Sequence, residues 1–157
     1  VNASDPGRPD RLAGIELESM ILGRHVTPSA HSEGFGLNLE RSAYTLLTRI
    51  DIQGPMSIGE LSEAFGLDAS TLNRQTARMV RQGLLRRIPD PEGGVARKFE
   101  MTEDGAAQMR SDRRRRREGL DRVLEEWSDD DVATLAELLG RFNGAIESRD
   151  GRPWPRR

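Results

Sequence analysis

The segment Ala69 to Arg81, ASTLNRQTARMVR, sorts its side chains onto two sides of a helical repeat. Leu72, Thr76, Met79 and Val80 recur at the spacing of a helix face turned toward a core. The other side carries Ala69, Ser70, Asn73, Arg74, Ala77 and Arg81. Small residues let a helix lie close against another surface, and hydroxyl, amide and guanidinium groups then supply hydrogen bonds. That is the chemistry of recognition. The chemistry of bond breaking is not legible: there is no cysteine, no histidine with triad partners nearby, no glycine loop that cradles phosphate and no metal-ligand spacing. The reading is therefore of a binding protein that needs no cofactor, and not of an enzyme.

The elements that must hold this segment are readable on both sides of it. Ser57 followed by Glu60 has the spacing of a capping box and opens a short helix. Leu61, Ala64 and Phe65 supply its apolar face, and Gly66 can take the left-handed conformation that stops it. Asp68 stands where an N-cap for the second helix is expected. Gly83 ends that helix, Leu84-Leu85 begins a strand, and a two-stranded hairpin leads on to Thr102. A helix, a turn, a second helix and a β-wing form a winged helix-turn-helix, whose natural partner is the major groove of double-stranded DNA.

Charge is distributed to suit. The whole chain of 157 residues carries a net charge of −2, which by itself argues weakly against a polyanionic partner. Between Thr71 and Phe99, however, Arg74, Arg78, Arg81, Arg86, Arg87, Arg97 and Lys98 face only Asp90 and Glu92. Acids gather elsewhere, as in Glu125-Glu126 and Asp129-Asp130-Asp131. A basic face on an acidic body limits indiscriminate phosphate binding. No apolar run approaches the ~18–20 residues of a membrane span, and no signal peptide is visible, so a cytoplasmic protein is expected. His25 and His31, the two histidines, make a poor metal site without cysteine.

In chain order, residues 1–9 read as a flexible arm and 10–38 as an N-terminal helix, with Leu12, Ile15, Met20, Ile21, Leu22 and Val26 as packing residues, followed by a loop. Residues 39–102 hold a helix from Leu39 to about Gln53, with Ala43, Leu46, Leu47 and Ile50 as its core stripe, and then the winged helix-turn-helix. Residues 103–149 hold a long helix capped by Thr102 and running to about Glu126, then a last helix capped by Ser128. Val132, Leu135, Leu138, Leu139, Phe142 and Ile146 stripe the last one. Residues 150–157 read as a tail that frays. The fold class is mainly α with a small β-wing, the core flanked by N- and C-terminal dimerisation helices. Their apolar stripes exceed what a core of ~60–70 residues can cover, and a second copy of the chain is the simplest cover.

Taken together, LERSAYTLLTRIDIQGPMSIGELSEAFGLDASTLNRQTARMVRQGLLRRIPDPEG and the closing MTEDG resemble the MarR family of bacterial transcription regulators, over about Asp10 to Glu147. The resemblance implies a homodimeric winged helix-turn-helix regulator, expected to be a repressor, on a pseudo-palindromic operator, released by a small anionic or aromatic effector. It places Ser70, Thr71, Asn73 and Arg74 where the family touches DNA. Arg74 is suited to guanine O6/N7 and Asn73 to adenine, each worth roughly 1–3 kcal/mol of discrimination. Ser70 and Thr71 suit phosphate at a helix N-terminus. Gln75 stands where relatives often carry an apolar residue and is expected to reach the backbone, and Arg78 is expected to clamp phosphate.

The wing departs from the family pattern. Relatives usually read Asp-Pro-x-Asp-Arg-Arg there, whereas this chain reads Asp90-Pro91-Glu92-Gly93-Gly94-Val95. The tip arginine has become Val95. Side chains alternate along a strand, so Arg97 points to the same side as Val95, about 6.6 Å nearer the body. Arg97 and Lys98 are then expected to touch phosphates, and Gly93-Gly94 to loosen the tip.

Arg113 to Arg117 run consecutively along the long helix, preceded by Arg110. At about 100° per residue they cover every face, so Arg113 and either Arg116 or Arg117 must turn toward packing and find acids. Glu16, Glu18, Asp51 or an acid of a second subunit could serve them, while Glu118 can serve Arg114 from the solvent side. Three readings stand side by side: interior or inter-subunit ion pairs, a phosphate-contacting flank, and a site for an anionic effector. By resemblance to where the family's pocket falls, His25, His31, Arg41, Tyr44 and Arg49 join Arg113 and Arg117 as effector-pocket candidates. The alternative to DNA binding is a winged-helix module that binds protein, favoured only by the altered wing tip.

Overall fold

The computed structural model describes residues 7–26 and 37–156, apart from the side chains of residues 25 and 26. His31 lies outside the described residues, as does the side chain of His25, and so do the arm before residue 7 and the loop after Val26. The chain divides into two compact units, Val1–Gly36 and Leu37–Arg157. The first holds one helix, α1 (Arg8–Val26), which begins two residues before the expected start at Asp10. Leu12, Ile15, Leu17, Met20 and Leu22 on α1 are each about half exposed.

The second unit is built on α2 (Arg41–Gln53). Its core stripe is the expected one: Ala43, Leu46, Leu47 and Ile50 are buried, and Leu39 just before it joins them. Gly54 at φ 87° stops the helix. A two-residue strand β1 (Met56–Ser57) follows, then α3 (Ile58–Phe65) and α4 (Ala69–Arg81). The capping box is formed as the spacing predicts. Ser57 Oγ accepts from the Glu60 N–H at 3.2 Å and Glu60 Oε2 accepts from the Ser57 N–H at 2.6 Å. Gly66 is left-handed at φ 62° and ends α3. Asp68 occupies the N-cap position of α4, but its side chain makes no capping hydrogen bond, contrary to the expectation.

Beyond α4 the chain turns through Gly83 at φ 72° into β2 (Leu85–Ile88) and returns as β3 (Lys98–Met101). The sheet has three strands rather than the expected two, in the order β1-β3-β2, all antiparallel. β1 pairs Met56 with Phe99 and Ser57 with Lys98. Two residues are too few to show alternation, so this strand left no periodic signal in the sequence. Leu61, Leu72, Met79, Leu84, Leu85, Phe99 and Met109 complete the core with the stripe of α2.

Thr102 caps α5 (Glu103–Val123), accepting from the Gly105 N–H at 3.0 Å and donating to Gly83 O at 2.5 Å. The start of α5 therefore lies directly on the α4–β2 turn. Gly105 is required there, because a Cβ would run into the Leu84 carbonyl. The buried side of α5 is Gly105, Met109, Asp112 and Gly119. Leu120, Val123 and Trp127 remain exposed. Ser128 caps α6 (Asp129–Asp150) by accepting from the Asp131 N–H, and Asp129, Asp130 and Asp131 fill its first turn as expected. α6 buries no residue, and Leu138, Leu139, Phe142 and Ile146 are 41–51 % exposed.

Residues 151–156 fold back onto the domain. Gly151 at φ 67° turns the chain back, and Trp154 sets the edge of its ring against Phe65 of α3, with centroids 5.8 Å apart. The Arg49 guanidinium lies over the Trp154 ring at 5.0 Å and donates to the Pro153 carbonyl at 3.1 Å. Glu147 accepts from the Trp154 N–H at 3.0 Å and from Arg156 at 2.7 and 2.8 Å. A Pro-Trp-Pro sequence with one aromatic ring reads as a polar tail, because its partners lie a hundred residues away.

The hydrogen bonds from Arg156, and then from the Trp154 N–H, hold the Glu147 carboxyl at about 2, below its ordinary 4.5. A folded-state value below the unfolded one stabilises the docked tail fully above about pH 4.5, and that contribution is lost as the pH falls through about 2. The Trp154 indole N–H resonance is therefore expected to hold its docked shift down to about pH 4.5 and to leave it between 4.5 and 2. Trp127 serves as the reference. Glu147→Gln should give the undocked shift already at neutral pH.

Candidate nucleic-acid interface

α4 presents the two faces that its sequence predicts. Leu72, Thr76 and Met79 are buried beneath it, and Thr76 returns its hydroxyl proton to the Leu72 carbonyl at 2.8 Å, so no polar atom is stranded there. Ala69, Ser70, Asn73, Arg74 and Arg81 are exposed on the opposite side, with Thr71 and Gln75 half-buried at its edges. Arg74 Nη2 donates to Thr71 Oγ1 at 3.3 Å, which draws its guanidinium toward the start of the helix. Ser70, Thr71, Asn73 and Arg74 thus share the N-terminal half of one helix. There they combine hydroxyl, amide and fork-like guanidinium donors with the positive end of the helix dipole.

The other cations expected to meet phosphate are differently disposed. Arg78, near the end of α4, makes a two-point ion pair with Glu40 at the start of α2, at 2.6 and 2.9 Å. Its guanidinium is engaged, and Arg78 Nε is buried without a partner. Arg86 pairs with Glu100 across the sheet at 2.5 Å, and Arg87 stacks on Phe99 at 5.3 Å. Lys98 is engaged as well. Its side chain is only 12 % exposed, and its ammonium lies 3.2 Å from Glu60 Oε1 and 3.4 Å from Asp90 Oδ1. The hydrogen bond to Glu60, then that to Asp90, raises the Lys98 pKa. The Glu60 carboxyl is lowered, chiefly by the Ser57 N–H and further by the Ser57 hydroxyl and Lys98.

Arg97 is exposed, but the alternation argument that paired it with Val95 does not apply. β2 and β3 end at the pair Ile88–Lys98, so residues 89–97 form a loop in which neither side chain follows a strand register. The loop is ordered at its turn. Asp90 Oδ1 accepts from the Glu92 N–H at 3.1 Å, the Gly93 N–H reaches the Asp90 carbonyl at 3.0 Å, and Gly93 takes φ 82°. Val95 is fully exposed at the tip.

Of the residues expected to line an effector pocket, Arg41, Tyr44, Arg49, Arg113 and Arg117 have described side chains. Tyr44 and Arg113 do meet. The hydrogen bond to Tyr44, then the charge of Asp51 at 3.5 Å, raises the Arg113 pKa. Arg116 completes this cluster by stacking on the Tyr44 ring at 4.2 Å, while Arg117 is exposed. The run of arginines therefore turns Arg113 and Arg116 inward, with Asp51 as an acid partner, and Arg114 pairs outward with Glu118 at 3.8 Å. Arg49 is held under the chain end, where burial lowers its pKa. Arg41 is exposed on the first turn of α2. A separate cleft of about 520 Å³, lined by Arg49, Glu60, Glu63, Glu92, Lys98 and Arg152, opens between α3, the wing and the chain end.

Residues 39–93 match the MarR family. Over 132 residues the chain is 38% identical to an uncharacterized HTH-type transcriptional regulator, YxaD, of Bacillus subtilis, covering 84% of this chain and 92% of that one. The chain belongs to the MarR family. The family is one of DNA-binding transcription regulators, not of enzymes. The fold agrees: a MarR family protein from Bacillus stearothermophilus superposes with a TM-score of 0.77 at 20% identity, over 90% of this chain and 99% of that one. An organohalide-sensing transcriptional regulator, RdhR, in its 2,4-dichlorophenol-bound form, superposes with a TM-score of 0.62 at 13% identity, over 90% and 86%.

Two residues of this MarR chain escaped the sequence reading. Asp112 is fully buried and accepts from the Asn38 N–H at 3.0 Å and the Leu39 N–H at 2.9 Å. Its only sequence signal is an acid one turn beyond Met109 on the buried side of α5. Glu40, which holds Arg78, reads as an ordinary exposed acid. Both members of that pair are substantially exposed, so its contribution to stability is about 0–1 kcal/mol. Glu40→Gln should leave thermal unfolding almost unchanged and free Arg78. Binding to random duplex DNA should tighten, and the plot of log affinity against log salt should steepen by up to about 0.9 for each guanidinium that gains a phosphate. An unchanged slope would show that Arg78 does not reach the backbone.

Proposed function

We propose that this MarR-family chain is a cytoplasmic repressor that binds a pseudo-palindromic operator as a homodimer and reads it chiefly with α4. The observation that carries the reading is the exposed Ser70–Asn73–Arg74 face of a helix whose opposite side is locked into the core. In a major groove, Arg74 donates two hydrogen bonds to guanine O6 and N7, and Asn73 makes the paired contact to adenine. Ser70 and Thr71 hold phosphate at the helix N-terminus, and Gln75 reaches the backbone from the edge of the face. Arg97 adds a contact from the wing, and Arg78 adds one where it exchanges Glu40 for phosphate.

Dimerisation is supported by α6, whose Leu138, Leu139, Phe142 and Ile146 are each about half exposed among the described residues. A two-fold pair sets two recognition helices about 34–36 Å apart, one turn of DNA. Release by an effector requires a ligand that favours a dimer geometry with the wrong spacing. The Tyr44–Arg113–Arg116 cluster suits an aromatic anion, since it offers a ring and guanidinium groups on α2 and α5. The 2,4-dichlorophenol-bound regulator is a relative in fold that takes such a molecule.

Operator fragments selected from random-sequence DNA give the test. Asn73→Ala and Arg74→Ala should each weaken binding by roughly 1–3 kcal/mol, about 5- to 150-fold, and each should erase preference at one position of a half-site. Ser70→Ala should weaken all sequences alike. Uniform loss for Asn73→Ala and Arg74→Ala across a panel of single-base operator variants would contradict base reading by α4.

A further inference from the structure

The one lysine of the chain sits where the wing joins the body, and its surroundings differ from those of a DNA contact. Lys98 opens β3, opposite both Ile88 of β2 and Ser57 of β1. Its ammonium stands between two carboxylates that belong to different parts of the domain. Glu60 lies in the first turn of α3 and uses its second oxygen to complete the Ser57 capping box. Asp90 begins the wing turn and uses the same oxygen that meets Lys98 to hold the Glu92 N–H. The other Asp90 oxygen lies against Gly94, where a Cβ could not fit. One cation therefore joins a helix cap to a loop turn, through side chains that are both 12 % exposed at the Lys98–Asp90 contact.

We propose that Lys98 is a positioning residue that sets the angle of the wing by clamping Asp90 to Glu60, and that it does not bind phosphate. Three considerations carry this. Two acids already neutralise the one ammonium, so a phosphate on its third N–H would bring a third negative charge to the same cation. The low exposure of the stem leaves the ammonium little freedom to swing outward. Without the cation, Glu60 and Asp90 would be left facing each other across the wing base, and like charges there would push the turn away from α3. The wing carries no tip arginine to fix it in a groove, so its direction must come from its root. Arg97 is adjacent and exposed, and the clamp determines where that guanidinium meets the DNA.

The proposal rests on the operator-binding reading above, and the experiment separates the two. Lys98→Met keeps most of the apolar stem and removes the charge. On a selected operator it should weaken binding about tenfold while leaving the salt slope unchanged, whereas Arg97→Ala should flatten the slope by about 0.9 per lost phosphate. Lys98→Arg should restore most of the affinity, because it can bridge the same acids. Asp90→Asn opens the clamp with the lysine intact. It should also weaken binding, whereas a phosphate-binding lysine freed from Asp90 would bind DNA more tightly.

Reductive ¹³C-dimethylation labels Lys98 as the single side-chain amine. Its resonance should move in Asp90→Asn and Glu60→Gln and stay in place when DNA is added to the parent protein. A flattened slope in Lys98→Met, tighter binding in Asp90→Asn, or a labelled resonance that shifts on DNA addition as it does in Asp90→Asn would each overturn the clamp. Failure of the parent protein to bind any selected DNA would instead overturn the operator reading, and the response of the resonance to Asp90→Asn and Glu60→Gln would still test the clamp.

Discussion

The Asp112 carboxylate is the constraint on which the DNA-binding unit depends. A carboxylate with no solvent exposure is costly to bury unless its lone pairs are used. Here they accept from two backbone N–H groups, those of Asn38 and Leu39, with the Asn38 side-chain amide close by at 3.4 Å. The arrangement answers a need at the other end as well, because α2 begins at Glu40 with no side-chain cap. A charged acceptor from α5 satisfies the lead-in to α2, so the start of α2 is fixed to α5 at a buried point. From that point α2 carries Leu46, Leu47 and Ile50 into the core shared with Leu72 and Met79 of α4. The exposed face of α4 is aimed by this packing.

Electrostatics then divides the cations between holding and reading. Arg78, Arg86, Lys98, Arg113 and Arg156 each have an acid partner, and Arg49 and Arg116 lie over aromatic rings. Arg74 and Arg97 form no ion pair among the described residues, which leaves them for the proposed DNA contact. Most of the basic surplus that the sequence shows between residues 71 and 99 is thus structural. The remainder, Arg74, Arg81 and Arg97, lies on the exposed face of α4 and on the wing. Such a surface gives modest non-specific attraction and leaves discrimination to hydrogen bonds in the groove.

The sequence makes legible whatever depends on neighbours within a helical turn or a short loop. The Ser57–Glu60 box, the Gly66 stop, the Thr102 and Ser128 caps and the stripe of α2 all follow from such local rules. The reading face of α4 does too, because burial of Leu72, Thr76 and Met79 fixes which residues remain outside. What the sequence hides is pairing over distance. The tail looked free because Phe65 and Arg49 are remote from Trp154. The Lys98–Glu60 contact spans thirty-eight positions and has no local sign in the sequence. β1 was too short to alternate, and Asp112 was concealed in a run of charges. Arg116, not Arg117, turned inward because the buried side of α5 follows Asp112 and Gly119, not the apolar residues near its end.

The central claim is that discrimination rests on α4 in the major groove, with the wing a backbone contact held by its root. Methylation interference on a selected operator tests this most directly, since dimethyl sulfate marks guanine N7 in the major groove and adenine N3 in the minor groove. The account predicts that methyl groups at guanine N7 within each half-site block binding, while those at adenine N3 beneath the wing leave it intact. Interference confined to adenine N3 at the flanks, with guanine N7 tolerated throughout, would contradict it.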